Sequence, residues 1–364
     1  MRIPDVDYIR WAKTLPAAAI DLARSSVEPC PSRLLGARRV RLAVSDSAHD
    51  GYAPLVDALA ERYRVSRDRV FTVSGGASLA NWIACAIALD GAHRGDEIIL
   101  ERPTYEPLLR IAHATGLRVR RLDRRFAEGF DVNVEQFQRL VNRRTRLAIF
   151  TNLHNPTGAR LAPATLSGLA QALDPVGAHL LIDEVHLECL FTDRTASSVH
   201  AGANVLVTNS LTKAYGLAGL RAGWMLGPKA LVQRAWRAQD LWSNNNVTPA
   251  EQLAASALSS LSRIRRHTHR HLAANRARLV RFLREEPRIA AHLPAGGTVI
   301  CLRLPNGVDE DRLAAHMLRR YSTLVVPGRF FESPRHIRLS FGMASDVFAR
   351  GLRNLSHALD DLGA

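Results

Sequence analysis

Of the 49 lysines and arginines in this chain, only Lys13, Lys213 and Lys229 are lysines. Lys213 stands in Asn209-Ser-Leu-Thr-Lys-Ala-Tyr-Gly-Leu-Ala-Gly-Leu-Arg-Ala-Gly-Trp224, a glycine-punctuated stretch that opens on Ser210 and Thr212. An amine can deprotonate and condense with a carbonyl, whereas a delocalised guanidinium stays protonated. Lys213 is therefore a candidate Schiff-base lysine, and Arg221, eight residues on, a candidate anion clamp. A lone lysine in a turn is more often a surface lysine, and its company is what favours chemistry here. A phosphorylated aldehyde cofactor requires such a pairing, an amine for its carbon and donors for its phosphate.

Further residues suit such a cofactor, each with a plainer reading beside it. Gly75-Gly76-Ala77-Ser78 joins an expected strand to an expected helix. Small residues there let backbone N–H groups and the positive end of the helix dipole approach a phosphate. Many strand–helix turns look the same, but the absence of a GxGxxG or Walker pattern argues against a dinucleotide or nucleoside triphosphate. Asp183 closes the run His179-Leu-Leu-Ile-Asp. It either caps the next segment or pairs with the nitrogen of a pyridoxal ring, keeping that ring an electron sink. Asn155, in Asn152-Leu-His-Asn-Pro-Thr-Gly158, is a turn residue or a donor to the ring's phenolic oxygen. Tyr105, in Arg102-Pro-Thr-Tyr-Glu-Pro107, is a loop aromatic or a stacking partner for the ring. Arg338 alternates with apolar neighbours in His336-Ile-Arg-Leu-Ser-Phe341 and suits bidentate capture of a carboxylate or a structural ion pair.

The elements that position these residues alternate. Strands are expected at 70–73, 97–100, 117–121, 146–151, 179–182, 205–209 and 223–226. Helices are expected to follow Ser78 as far as Leu89, and at 103–115, 134–141 and 166–173. Such alternation implies a mainly parallel sheet covered on both faces, with ligands at the carboxyl ends of its strands. Four of the motifs fall at those ends. After Pro249 the pattern changes to a long helical region over 251–286, strands at 298–304, 323–326 and 336–341, and a last helix from Asp346. The N-terminal stretch reads as an arm, with a short helix over 8–14 and an extended segment over 20–27. The expected organisation is an arm (1–44) joining a small C-terminal domain (251–364), and a large domain (45–250).

Composition narrows the class. Hydrophobic content of 47% and charged content of 23% are those of a globular enzyme. No apolar run approaches the ~20 residues that span a bilayer, and Met1–Lys13 lacks a signal-peptide core. Cys30, Cys85, Cys189 and Cys301 are widely spaced, which suggests neither a disulfide framework nor a zinc site and fits a reducing cytoplasm. The net charge of +15 raises nucleic-acid binding. The arginines are scattered, however, and the densest basic run, Arg263–His271, reads as a solvated helix face. The arm is too short and proline-broken to supply a helix-turn-helix. His267 and His271 share a face at spacing four, but no HExxH motif accompanies them.

The ordered set Ala77-Ser78, Tyr105, Asn155, Asp183, Lys213, Arg221 and Arg338 resembles that of class I/II aminotransferases, fold type I pyridoxal-phosphate enzymes of the aspartate aminotransferase kind. The likeness runs from about Gly51 to Arg338. It implies an α/β fold with a mainly parallel seven-stranded sheet between helices and a smaller α/β domain. It implies pyridoxal 5′-phosphate as cofactor and an amino acid and a 2-oxo acid as substrates. Homodimers with active sites at the interface are implied too, with no nucleic-acid or membrane partner. By resemblance, Lys213 forms the internal aldimine and shuttles the proton between substrate Cα and cofactor C4′. Asp183 pairs with the ring nitrogen and Asn155 with O3′. Gly76, Ala77, Ser78, Ser210 and Arg221 cradle the phosphate, Tyr105 stacks on the ring, and Arg338 holds the substrate α-carboxylate.

Three departures stand out. Asp183-Glu-Val-His186 has a histidine where the family usually carries the tyrosine that also bonds O3′. Val44–Asp50 lacks the tyrosine that reaches a neighbouring subunit's phosphate, leaving Tyr52 as nearest substitute. Ala23-Arg-Ser-Ser-Val27 lacks a glycine that relatives present to substrate. The sequence Asp-Glu-Val-His also resembles cystathionine β-lyase-like enzymes, so β-elimination stands beside transamination, with decarboxylation and cyclisation behind.

Overall fold

In the computed structural model, the described residues are 4–35, 40–44, 50–190 and 196–364. Twelve strands are found among them: β1 (Ile20–Asp21), β2 (Val70–Ser74), β3 (Glu97–Arg102), β4 (Arg118–Asp123), β5 (Thr145–Thr151), β6 (His179–Asp183), β7 (Val205–Ser210), β8 (Ala222–Leu226), β9 (Val299–Arg303), β10 (Thr323–Leu324), β11 (Val326–Pro327) and β12 (His336–Ser340). Seven form one sheet in the order β2-β8-β7-β6-β5-β3-β4. It is parallel except for β8, which runs antiparallel to both of its neighbours.

The central strands are near-continuous apolar runs because both faces of the sheet are covered. Ile98, Leu100, Leu147, Ile149, Leu181 and Leu206 face one core with Ile83 and Ala84 of the helix Gly76–Ala88. The alternate residues Ile99, Ala148, Phe150, Leu180, Ile182, Val205 and Val207 face the other, with Leu166 and Leu169 of the helix Pro163–Leu173. Alternation with period two thus splits each strand between two cores.

A three-stranded antiparallel sheet, β11-β12-β9, lies in the C-terminal part. The arm joins this part directly: β1 pairs in parallel with β10. Leu22 N–H donates to the Leu324 carbonyl at 2.9 Å, and Ser340 N–H to the Leu22 carbonyl at 2.7 Å. The helix Asp7–Thr14 is anchored at its start, where Asp7 and Tyr8 N–H groups donate to the Glu106 carboxylate.

Several expected elements are corrected. The helical region over 251–286 is three helices, Thr248–Leu258, Leu261–Thr268 and Leu272–Glu285. Ser259 Oγ turns back to the Ser256 carbonyl at the first break. At the second, His269 Nε2 meets the Ala214 carbonyl at 2.7 Å, a tertiary bond that periodicity does not report. The helix expected over 103–115 starts only at Glu106, since Thr104 N–H is engaged by the Phe331 carbonyl. The expected strand over 323–326 is split between β10 and β11, which belong to different sheets. Of the segment over 20–27, only Ile20–Asp21 is strand. Helices Lys229–Asp240 and Glu310–Tyr321 were not among the expected elements. Among the described residues, no helix is long and apolar enough to cross a membrane. Of Val44–Asp50, only the two end residues are described.

Candidate active site

The carboxyl ends of β5, β6 and β7, with the loops after β2 and β3, converge on a cavity of about 190 Å³. Its wall contains Ala77, Ser78, Tyr105, Asn155, Asp183, His186, Ser210, Lys213 and Arg221, residues spread over 145 positions of sequence. Gly76 and Arg338 are not on that wall. Gly76 lies beneath Arg221, and Arg338 stands behind Asn155.

At one end, the helix Gly76–Ala88 begins without a side-chain cap. Gly76 N–H donates to the Arg221 carbonyl at 2.7 Å, so the N–H groups that follow it in the first turn, with the helix dipole, are the ones open to an anion. Arg221 adopts a left-handed backbone (φ 50°) at the turn into β8, and its Nη2 donates to the Gly75 carbonyl at 2.5 Å. A Cβ added at Gly76 would sit 3.2 Å from that Nη2. One at Gly223 would sit 2.5 Å from the Gly76 carbonyl carbon. Glycine at both positions lets strand, helix start and guanidinium crowd together. Ser210 Oγ, which accepts from Thr212 N–H at 3.3 Å, completes this end.

Asp183 lies at the cavity floor. Its Oδ1 accepts from Val185 N–H at 2.9 Å and its Oδ2 from Asn81 Nδ2 at 2.7 Å. Burial pushes its pKa up, opposed by those two donors and by the Lys213 charge. Lys213 is driven the other way. Burial first, then the positive charges of Arg338 and Arg221, push its amine down to about 8 against the pull of Asp183. The amine donates to Ser25 Oγ at 2.8 Å.

His186 is buried, with Nδ1 3.5 Å from Thr298 Oγ1 and no partner for Nε2. Burial, Lys213 and Arg338 push its pKa down to about 3, so the ring is neutral at ordinary pH. Tyr105 is the residue before the helix Glu106–Ala114, with no capping bond from its side chain, and its burial pushes the phenol well above its usual range. Arg338 is fully buried on β12. It donates to Asn155 Oδ1 at 3.1 Å, Tyr8 Oη at 2.8 Å and the Ala23 carbonyl at 2.8 Å, while its Nε is unpartnered. The Phe331 ring lies 4.7 Å from its guanidinium carbon. Among the described residues, the partners found for the Arg338 guanidinium are thus neutral ones, Asn155, Tyr8 and a main-chain carbonyl.

Four residues were missed by sequence reasoning. Asn81 also accepts a short hydrogen bond from Thr208 Oγ1, and was detectable as a lone amide in an apolar helix. Thr151 Oγ1 accepts from Asn155 N–H and donates to Glu101, itself paired with Arg124 in full burial. Tyr8 and Ser25 come from the arm; in sequence the segment Ala23–Val27 stands out only for lacking a glycine, and tertiary docking brings both side chains in. His267 and His271 are used elsewhere. Arg270 reaches both rings, and His271 Nδ1 lies 3.2 Å from Ser345 Oγ.

A family model for class I and II aminotransferases matches residues 45–355. The chain belongs to this family. Members depend on pyridoxal 5′-phosphate and have the fold type I architecture described above. Among similar proteins, capreomycidine synthase of Streptomyces vinaceus is 29% identical, over 90% of this chain and 84% of its own. Arginine–pyruvate transaminase of Pseudomonas aeruginosa is 27% identical, over 84% and 80%. The crystal structure of a pyridoxal-phosphate-dependent cyclase superposes with a TM-score of 0.88 at 25% identity, covering 100% of this chain and 98% of the other.

Proposed function

We propose that the protein is an aminotransferase that moves an amino group between an amino acid and a 2-oxo acid, with Lys213 as its catalytic lysine. The observation that carries this reading is the setting of Lys213. Its amine is brought near pKa 8 on the wall of a cavity that also presents Asp183, an uncapped helix start and Arg221.

The residues fit the cofactor. Ala77, Ser78, Ser210 and Arg221, supported by Gly76, form an anion cradle for its phosphate. The Asp183 carboxylate, held by neutral donors at the cavity floor, would be stabilised by a protonated ring nitrogen. The unpartnered Nε2 of His186 and the amide of Asn155 suit its phenolic oxygen, and Tyr105 on the cavity wall would lie against the ring. Bound there, the cofactor supplies an electron sink for charge left on substrate Cα. Lys213 takes up and returns the proton in transit, as an amine near neutrality does best. Arg338, without a carboxylate partner among the described residues, is the residue suited to the substrate α-carboxylate; because it stands behind the wall with both Nη atoms engaged, a two-pronged bond requires the carboxylate to replace Asn155 and Tyr8 as its acceptors.

A second cavity, of about 490 Å³, is lined by Tyr8, Trp11, Asp21 and Arg24 and meets the first at Ser25 and Lys213. In this reading it takes the donor side chain, and its size favours long side chains. The organisation into an arm (1–44), a large domain (45–250) and a small domain (251–364) is part of the reading. The confinement of the seven-stranded sheet to 70–226 and the pairing of β1 with β10 support it. Homodimers fit the exposed Leu241 (87%), Trp242 (51%) and Val247 (56%). A cytoplasmic location fits the four free cysteines.

One observation favours a second reading. A histidine, His186, is on the cavity wall where the family usually carries a tyrosine, and capreomycidine synthase and a cyclase are among the similar proteins. The same residues then serve β-elimination from a thioether amino acid, decarboxylation or ring closure. Donors screened with pyruvate and 2-oxoglutarate decide between the readings. Transamination requires a new amino acid from the 2-oxo acid, absent with Lys213→Ala; turnover without any acceptor overturns it.

A further inference from the structure

The amine of Lys213 does not point into empty space. Its hydrogen-bond partner among the described residues is Ser25 Oγ, at 2.8 Å. Ser25 is 9% exposed and belongs to the wall of both cavities, so its hydroxyl stands where cofactor site and side-chain site meet. The arm is fixed on each side of it. Arg338 Nη2 donates to the Ala23 carbonyl at 2.8 Å, and Thr298 Oγ1 to the Ser25 carbonyl at 3.0 Å. Val27 N–H donates to the carbonyl of Lys213 itself at 3.1 Å, and Cys30 N–H to that of Gly216 at 3.0 Å. The arm thus follows the lysine loop by backbone bonds, and Ser25 reaches across to the amine.

We propose that Ser25 is a positioning residue for Lys213: its hydroxyl docks the Lys213 amine whenever that amine is not joined to the cofactor, and holds it at the junction of the two cavities. This rests on the reading of Lys213 as the catalytic lysine. A free amine at this wall that lost its acceptor would forfeit a hydrogen bond in a poorly solvated place. The bond is stronger for the ammonium than for the amine, so Ser25 raises the basicity of Lys213. It opposes Arg338 on β12 and Arg221 before β8, and acts with Asp183 at the end of β6. Neutral His186 and Tyr105 are the other titratable groups on the first cavity's wall, and Tyr8 with the ion pair of Asp21 and Arg24 faces Lys213 across the second cavity. The hydroxyl limits how far burial and positive charge depress the amine, and keeps it in one place between proton transfers.

The test follows uptake of pyridoxal 5′-phosphate by cofactor-free protein between pH 6 and 10, with borohydride trapping and peptide mass spectrometry to locate the bond. The proposal expects wild-type trapping at Lys213, with a rate that rises through the deprotonation of the amine. In Ser25→Ala the midpoint falls by about one pH unit, tenfold in acid dissociation constant. Ser25→Thr, which keeps the hydroxyl, retains the wild-type midpoint. An unchanged midpoint in Ser25→Ala overturns the role of Ser25 while leaving Lys213 in place. An equal shift in Ser25→Thr also overturns it, since the arm and not the hydroxyl would then be responsible. Trapping at another residue in wild type overturns the reading of Lys213 itself.

Discussion

Asp183 and Lys213 act on each other's charge across the cavity, and burial makes each reluctant to carry it. In the proposed reading, Asp183→Asn removes the anion that would stabilise a protonated ring nitrogen. Turnover is expected to fall by ~10²–10³, the scale for loss of one preorganised electrostatic partner, with the absorption spectrum of the bound cofactor altered. Arg338→Lys keeps a charge but not the fork, and leaves Tyr8 and Asn155 short of a donor. Initial rates are expected to show kcat/KM for the donor lowered by ~10², about 2–3 kcal/mol, mostly through KM. His186 lies far below its ordinary pKa of 6.5, at about 3. As pH falls from 6.5 towards 3, the unfolded chain takes up a proton that the native imidazole refuses, so wild type loses stability. Urea unfolding at pH 7 and pH 5 is expected to move by about 2 kcal/mol in favour of His186→Gln. No change between the two pH values would contradict the buried neutral ring.

At the scale of elements, the anion cradle depends on how closely β8 approaches the start of the helix Gly76–Ala88. Gly223→Ala would put its Cβ within 2.5 Å of the Gly76 backbone. Cofactor affinity, measured by titration of cofactor-free protein, is expected to weaken at least about tenfold with far-ultraviolet circular dichroism little changed. An unaltered affinity would mean that the cradle does not hold the phosphate. This part of the molecule was well legible in sequence: all seven strands of the large sheet were expected within two residues or so, because doubly covered strands read as apolar runs. Polar residues such as Asp183 at the ends of those runs marked the cavity. The helices after Pro249 were less legible. Their breaks are set by side-chain bonds, such as His269 to Ala214, that join distant parts of the chain.

At the scale of the whole molecule, the arm unites the site. It supplies Tyr8 to Arg338 and Ser25 to Lys213, and neither is visible in sequence because both depend on docking across more than 180 positions. Asn81 was the reverse case, a buried amide whose helix position was legible but whose partner, Asp183, was not. The exposed Leu241 and Trp242 lead to a prediction here. Light scattering is expected to give about 80 kDa, twice the 40.1 kDa of one chain, and Trp242→Glu is expected to shift the population towards one chain. A monodisperse wild-type monomer would contradict the assembly. The central claim, that the amino group is transferred and not expelled, rests on one stoichiometry. Cofactor-loaded protein mixed with an accepted donor and no acceptor should yield one 2-oxo acid per site, release no ammonia, and stop until a 2-oxo acid is added. Continuous ammonia release without an acceptor would contradict it.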